Sequence, residues 1–410
     1  MENRAKTLVR TLARALARSA IGLLPRDAAR RRILFICTHE VQVDYLAEIW
    51  DILKSDPRLD FDILVLCPEH RPGEFDRIRS ALPVRQVRGF WAYAGRWDVA
   101  VMAEHVFPDL PTDSRHKIVR ISHGFPGKRE GGTLYAFGPK AYSRDGRIRY
   151  ARMFVPSRTV KEWAVNMDPA FENVVAVVGS PGDDKMLAEA GRREEFRSRL
   201  GFKPNEVVVF VTSTWGPNSL FHRMGDAILA KARELKGEYR FILSVHPIEY
   251  HPQPAGGRVW GEYLREQRQD GFLLREPWED WVPCMVASDI LLTDHTSLGV
   301  HGVLLGKPFV FTPVPDELVE AGTVIRQIRD ISPILRPDAS DLEQALRRAR
   351  NDYPFDKLRE IASQMNSCPN EAADRVREEM YAQLALPAWD AGEGREQAGP
   401  DEQKKICRTG

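Results

Sequence analysis

The chain has 410 residues, long enough for two domains with separate cores, and its 29% charged and 43% hydrophobic content is that of an ordinary soluble globular protein. A net charge of +1 excludes an overall pull toward nucleic acid, so any anion site has to be local. The five cysteines, Cys37, Cys67, Cys284, Cys368 and Cys407, have no paired spacing, which argues against a disulfide framework or a zinc knuckle and fits a reducing compartment.

Residues 4–24 predict a basic amphipathic helix within an N-terminal segment, 1–31. Leu8, Leu12, Leu16, Ala20 and Leu23 recur at helical spacing, and Arg10, Arg14 and Arg18 line another face. No acidic residue lies between Glu2 and Asp27. Such a helix either lies on an anionic membrane surface or packs on the domain with its basic face in water. The arginines interrupt any secretory signal, and no run reaches the roughly 18 apolar residues of a spanning helix. The expected location is cytoplasmic, with peripheral contact to the inner face of the cell membrane as the alternative the helix leaves open.

A first α/β domain is expected over residues 32–182. Strands are predicted at 33–37, 61–67, 98–102, 117–121, 153–156 and 173–178, with a helix over 41–54. The pattern restarts after a charged helix at 184–200. Strands at 207–212, 240–245, 271–274, 290–293 and 309–312, with a helix over 222–236, place a second domain at 183–386. Residues 387–410 are polar and expected to be disordered. Alternating strands and helices of this kind imply two Rossmann-like parallel sheets covered on both faces, with ligands held at the carboxyl ends of the strands in a cleft between the domains.

The candidate chemistry sits at those strand ends. His123, in Ser122-His123-Gly124-Phe125-Pro126-Gly127-Lys128, follows a strand directly and is placed either as a general base or as a turn histidine bonded to backbone. His246-Pro247 has the same placement in the second half, where proline ends the ladder. Thr212-Ser213-Thr214-Trp215-Gly216 offers hydroxyls and a close backbone approach to an anion. Asp294-His295-Thr296-Ser297 lies at a strand-to-helix turn, where small hydroxyls beside the unpaired N–H groups of a helix start favour phosphate or pyrophosphate. Gly179-Ser180-Pro181-Gly182-Asp183-Asp184 reads either as a loop on the substrate or as a helix entry capped by Asp183 or Asp184, with capping favoured for the two aspartates.

Other matches fail on inspection. Gly302 to Lys307 is one residue short of a P-loop, and Pro308 replaces the hydroxyl that would hold magnesium. Asp60-Phe61-Asp62 has metal-like carboxylate spacing but lies at the amino end of a strand. His246 with His251, and His295 with His301, lack zinc-site spacing. The chemistry requires no metal and no cofactor.

In order and spacing, His123-Gly124, Gly179-Ser180-Pro181, Thr212 to Trp215, His246-Pro247, Thr293-Asp294-His295-Thr296-Ser297, Lys307-Pro308 and the segment Arg326 to Ile334 resemble the CDP-glycerol glycerophosphotransferase family, which builds and primes teichoic-acid-like polymers. The resemblance spans residues 115–335. It implies two facing Rossmann-like domains in the manner of GT-B glycosyltransferases, the first on the acceptor side and the second binding the nucleotide donor. It also implies a CDP-glycerol or related CDP-polyol donor, a polymer or lipid-linked acceptor, and release of CMP. On this chain His123 would take the acceptor's proton and His246 would bond the pyrophosphate. Thr296 and Ser297 would hold phosphate oxygens, joined at the donor by Thr214, His295, Gly179 and Pro181. Three positions depart from the family. His295 stands where an aromatic residue is usual, Gly216 replaces a basic residue, and the turn after His123-Gly124 is a variant. A nucleotide-sugar glycosyltransferase of the same fold and a non-catalytic nucleotide-binding scaffold are the rival readings.

Overall fold

The computed structural model describes residues 13, 16, 19, 27, 29–66, 72–103, 105, 117–122, 129–130, 133–143, 145–252 and 256–389. Apolar runs in its sequence become two parallel sheets. The first contains β1 (Arg31–Cys37), β2 (Leu59–Val65), β3 (Arg85–Gln86), β4 (Val99–Met102) and β5 (Lys117–Ile121). A small antiparallel hairpin, β6 (Arg129–Glu130) with β7 (Thr133–Leu134), stands apart from it. Then β8 (Arg152–Val155) and β9 (Val175–Val177) complete a strand order of β3-β2-β1-β4-β5-β8-β9. The second sheet is β10 (Val207–Ser213), β11 (Tyr239–Val245), β12 (Leu273–Leu274), β13 (Ile290–Thr293) and β14 (Phe309–Phe311), in the order β12-β11-β10-β13-β14.

Both central strands are apolar on both faces, as a covered parallel sheet requires. All seven residues of β10 are buried, as are Ile33 to Cys37 of β1. In each sheet the first strand lies inside, the second and third add on one side, and the fourth adds on the other. The chain therefore reverses direction across the sheet between β1 and β4, and again between β10 and β13. Loops leaving two such strands diverge to opposite faces and open a crevice at their carboxyl ends. The β10–β13 register, from Val209↔Ile290 to Thr212↔Thr293, sets two threonines side by side at that point.

By packing, the chain divides into two compact units. One comprises the described residues of Met1–Ile121, Tyr150–Arg152 and Ala373–Gly410, and the other those of Ser122–Arg149 and Met153–Ala372. The last helix, Ala372–Leu384, belongs mainly to the first unit. Within that unit the Tyr381 hydroxyl donates to Asp56 at 3.0 Å, and Lys117 Nζ donates to the Gln383 carbonyl at 2.8 Å.

Several local expectations change. The charged helix predicted over 184–200 is broken into Pro181–Ala188, a 3-10 turn at Ala190–Arg192 and Arg193–Arg199. Its cap is Ser180, not Asp183 or Asp184. The Ser180 hydroxyl accepts from Asp183 N at 3.3 Å, and Pro181 follows at the first helical position, where a missing N–H costs nothing. The aspartates have other partners. Asp183 meets His301 Nδ1 at 2.6 Å, and Asp184 accepts from the backbone N–H groups of Asn370 and Ala372 at 2.9 and 3.1 Å. The helix after Thr296 is one α turn, Ser297–Val300, continuing as a 3-10 run to Leu305. Asp62, of the metal-like Asp60-Phe61-Asp62, is buried against Arg32 at 2.8 Å and Arg85 at 2.5 Å, an ion-paired strand residue. Lys307 donates to the carbonyls of Val286 and Ser288 at 3.1 and 2.6 Å, where the helix Val282–Ala287 ends. Burial pushes its ammonium down to about 8.

Of the basic N-terminal helix, Ala13, Leu16 and Ser19 are described, each helical. The rest of that helix, and the polar tail over 390–410, lie outside the described residues. Among the described residues no helix is long and apolar enough to cross a membrane, and no group of His, Cys, Asp and Glu is arranged to hold a metal ion.

Candidate functional site

The β10 and β13 strand ends carry a buried, closely bonded polar cluster. Thr212 and Thr293 face each other with hydroxyls 2.8 Å apart, both buried. Gly299, in the turn Ser297–Val300, sits directly over them. A Cβ there would lie 2.6 Å from Thr293 Oγ1 and 3.0 Å from Thr212 Oγ1. The missing side chain lets the turn approach the strand ends closely.

Next in sequence comes Asp294, whose side chain is completely buried. Its carboxylate accepts five hydrogen bonds from four residues. Thr214 N donates to both oxygens (3.1 and 3.0 Å), Leu220 N and Thr296 N each donate at 2.8 Å, and the Ser213 hydroxyl donates at 3.0 Å. A carboxylate in a dry interior is tolerated when its lone pairs are filled in this way. The result joins the loop after β10 to the turn after β13. Thr296 spends its N–H on Asp294, but its hydroxyl makes no cap bond, and neither that hydroxyl nor the Ser297 hydroxyl is bonded to a described residue.

A second buried carboxylate holds the same loop from the β11 side. Glu249, in the 3-10 turn Pro247–Tyr250, accepts from Gly216 N at 2.9 Å and faces His222 Nε2 at 2.9 Å. His222 lies in the first turn of the helix Leu220–Glu234, capped by Ser219. Gly216 has φ +83°, a conformation suited to glycine, which turns the loop sharply after Trp215. Trp215 is 52% exposed, and its ring centroid lies 6.4 Å from that of His246. His246 caps the Pro247 turn by accepting from Ile248 N at its Nδ1, 3.3 Å away. In the neutral ring that assigns the proton to Nε2, which becomes a donor.

The structure thus brings Thr214, His295, Thr296, Ser297 and His246 to the carboxyl ends of β10, β11 and β13. Thr214 is buried and its N–H is committed to Asp294, so it anchors the loop. The His295 side chain is half-buried. Gly179 and Pro181 flank Ser180, the cap of the helix Pro181–Ala188, and Gly179 packs against Cys368 and Ala372. Gly179 has φ +82°, and a Cβ there would be 3.0 Å from Ala372 Cβ. His123 lies outside the described residues. Sequence reasoning passed over the structural roles of Asp294, Glu249 and Gly299, and it passed over His222 altogether. The carboxylate directly after an apolar strand, and the one three residues past His246, were the available signals.

Residues 80–317, more than half of the chain, match the profile of the family described as CDP-Glycerol:Poly(glycerophosphate) glycerophosphotransferase. The chain is 26% identical over 182 residues to a teichoic acid poly(ribitol-phosphate) polymerase of Bacillus spizizenii, covering 42% of this chain and 28% of that protein's length. Among solved structures, a variant of the wall teichoic acid polymerase TagF soaked with CDPG superposes with a TM-score of 0.60 at 15% identity, covering 93% of this chain and 98% of that one. The UDP-GlcNAc 2-epimerase of Neisseria meningitidis, bound to UDP-GlcNAc, gives 0.52 at 13% identity, covering 86% and 99%. These likenesses bear out the expected class, an α/β fold with two parallel sheets of the GT-B kind.

Replacing Asp294 with Asn turns one acceptor oxygen into a donor and leaves a buried N–H or O–H without an acceptor. A loss of about 2 kcal/mol or more is expected, seen as a fall of about 5 °C or more in the unfolding temperature by scanning fluorimetry. Gly299→Ala should destabilise in the same direction. An Asp294→Asn protein that melts with the wild type would contradict the assigned role.

Proposed function

The chain belongs to the CDP-glycerol:poly(glycerophosphate) glycerophosphotransferase family, and from that premise we propose that it moves a glycerophosphate-like group from a CDP-linked polyol to a hydroxyl of a cell-surface polymer or lipid-linked glycan, releasing CMP. The observation that carries this reading is the turn Asp294–Ser297. Asp294 fixes the turn from inside, and the Thr296 and Ser297 hydroxyls stay uncommitted beside a strand end at a switch point. Hydroxyls held in this way are oriented before the ligand arrives, which suits a diphosphate whose charge is redistributed during transfer.

In the proposed reaction the acceptor oxygen bonds to the β-phosphorus while the bond from that phosphorus to the bridging oxygen breaks. CMP leaves with the bridging oxygen. The acceptor's proton passes to His123, a role assigned from its sequence position after β5. His246 donates from Nε2 to the leaving phosphate, the atom left as donor because Nδ1 accepts from Ile248 N. Thr296 and Ser297 bond the non-bridging oxygens. Trp215 offers an exposed ring on which the base can stack, a contact worth about 1–3 kcal/mol in single-stranded nucleic-acid sites.

Peripheral membrane contact is part of the proposal, because acceptors of this class are polymeric or lipid-linked. Leu16, on the predicted apolar stripe, is 71% exposed, which leaves that side chain free to meet lipid. The chain is expected to float with anionic vesicles in low salt, and to lose this on deletion of residues 1–26. Equal flotation without those residues would reject the helix as the contact.

The direct assay is CMP release from CDP-glycerol and CDP-ribitol in the presence of a polyol-phosphate acceptor. His246→Ala is expected to lower kcat by about a hundredfold, the effect of losing one donor to developing charge. Turnover of UDP- or GDP-sugars with both CDP-polyols inert would move the chain to the glycosyltransferase reading.

A further inference from the structure

We propose that His222 is a phosphate-binding residue of the donor site, held for that task by Glu249. The inference rests on the donor reading above and adds to it a residue at which sequence analysis found no chemistry.

The His222 ring is fixed on two sides. Nε2 lies 2.9 Å from Glu249 Oε2, and the indole of Trp260 stands edge-on to the imidazole with centroids 6.1 Å apart. Trp260 reaches this position because residue 225, one turn along the same helix, is glycine. A Cβ there would be 2.5 Å from the indole. The side chain of His222 is 25% exposed, and its other polar atom, Nδ1, has no partner among the described residues.

Glu249 makes the arrangement more than a surface contact. It is 99% buried, and its second oxygen accepts from Gly216 N. A single carboxylate therefore ties the imidazole to the loop that carries Trp215, whose ring neighbours His246. The pair belongs to the same corner as the proposed leaving-phosphate donor. Glu249 is placed to accept an N–H from one ring nitrogen. An imidazolium can give one N–H to Glu249 and the other to a second anion. A nucleotide phosphate at Nδ1 would complete that arrangement, and the loop, which has glycine at 216, carries no cation of its own there.

The test is calorimetric titration of the full chain with cytidine, CMP and CDP, comparing wild type with His222→Gln, His222→Ala and Glu249→Gln. Glutamine at 222 keeps a hydrogen bond to Glu249 but cannot become a cation. Affinity for CMP and CDP is expected to fall about tenfold or more in the His222 variants, as for loss of a charge-assisted hydrogen bond, while cytidine binds as before. Glu249→Gln should show the same phosphate-specific loss, and thermal unfolding identifies any variant that is misfolded. Wild-type affinity for CMP and CDP in His222→Gln, or an equal loss for cytidine, would overturn the proposal and leave His222 as a structural clip. Wild-type protein that binds none of the three would instead overturn the donor reading itself.

Discussion

The second sheet's site depends on one buried carboxylate. Asp294 gathers the backbone N–H groups of Thr214, Leu220 and Thr296 and the hydroxyl of Ser213 onto two oxygens. A buried donor left unpaired costs about 1–3 kcal/mol, so moving either loop away from Asp294 is opposed by several such penalties. The loop after β10 and the turn after β13 are consequently set against each other by an interior group that no ligand needs to touch. Glu249 adds a second constraint from β11 and fixes Gly216, so the loop over 214–220 is held at its start, near its middle and at its end.

This division of labour has a chemical consequence. Groups that could bind an anion divide into those consumed by the scaffold and those left over. Thr214 N–H, Thr296 N–H and Ser213 Oγ are consumed. The hydroxyls of Thr296 and Ser297 are left, in a turn that Asp294 already holds through Thr296 N. The proposed phosphoryl transfer asks a protein for positioning and oriented dipoles more than for covalent chemistry, and the scaffold offers both.

Much of the fold was legible in the sequence, because strands buried on two faces are continuous apolar runs. Lys117–Ile121 and Ile290–Thr293 were read to the residue, and most other strands within one or two residues. The strand-end histidine at 246 and the hydroxyl pair at 296 and 297 were also legible, since their meaning depends on local order. What stayed hidden depends on partners far away in the chain. Asp294 reads as a turn residue until Thr214 and Leu220, 80 and 74 positions earlier, are placed beside it. Glu249 looks like a surface charge until Gly216 and His222 fold against it. The aspartates at 183 and 184 looked like caps because capping is a local habit, yet their partners are His301 and the segment at 370–372. The split of the helix expected over 184–200 follows from a 3-10 turn containing Gly191, a single residue that pattern reading averages away.

The most direct test of the account is a crystal structure of the chain with CMP bound. The account predicts the phosphate within hydrogen-bonding distance of the Thr296 and Ser297 hydroxyls and of His246 Nε2, with the Asp294 contacts unchanged from the unliganded protein. A nucleotide bound away from the β10 and β13 strand ends, or a turn that rebuilds around Asp294 to receive it, would contradict the claim that buried carboxylates prepare this site in advance.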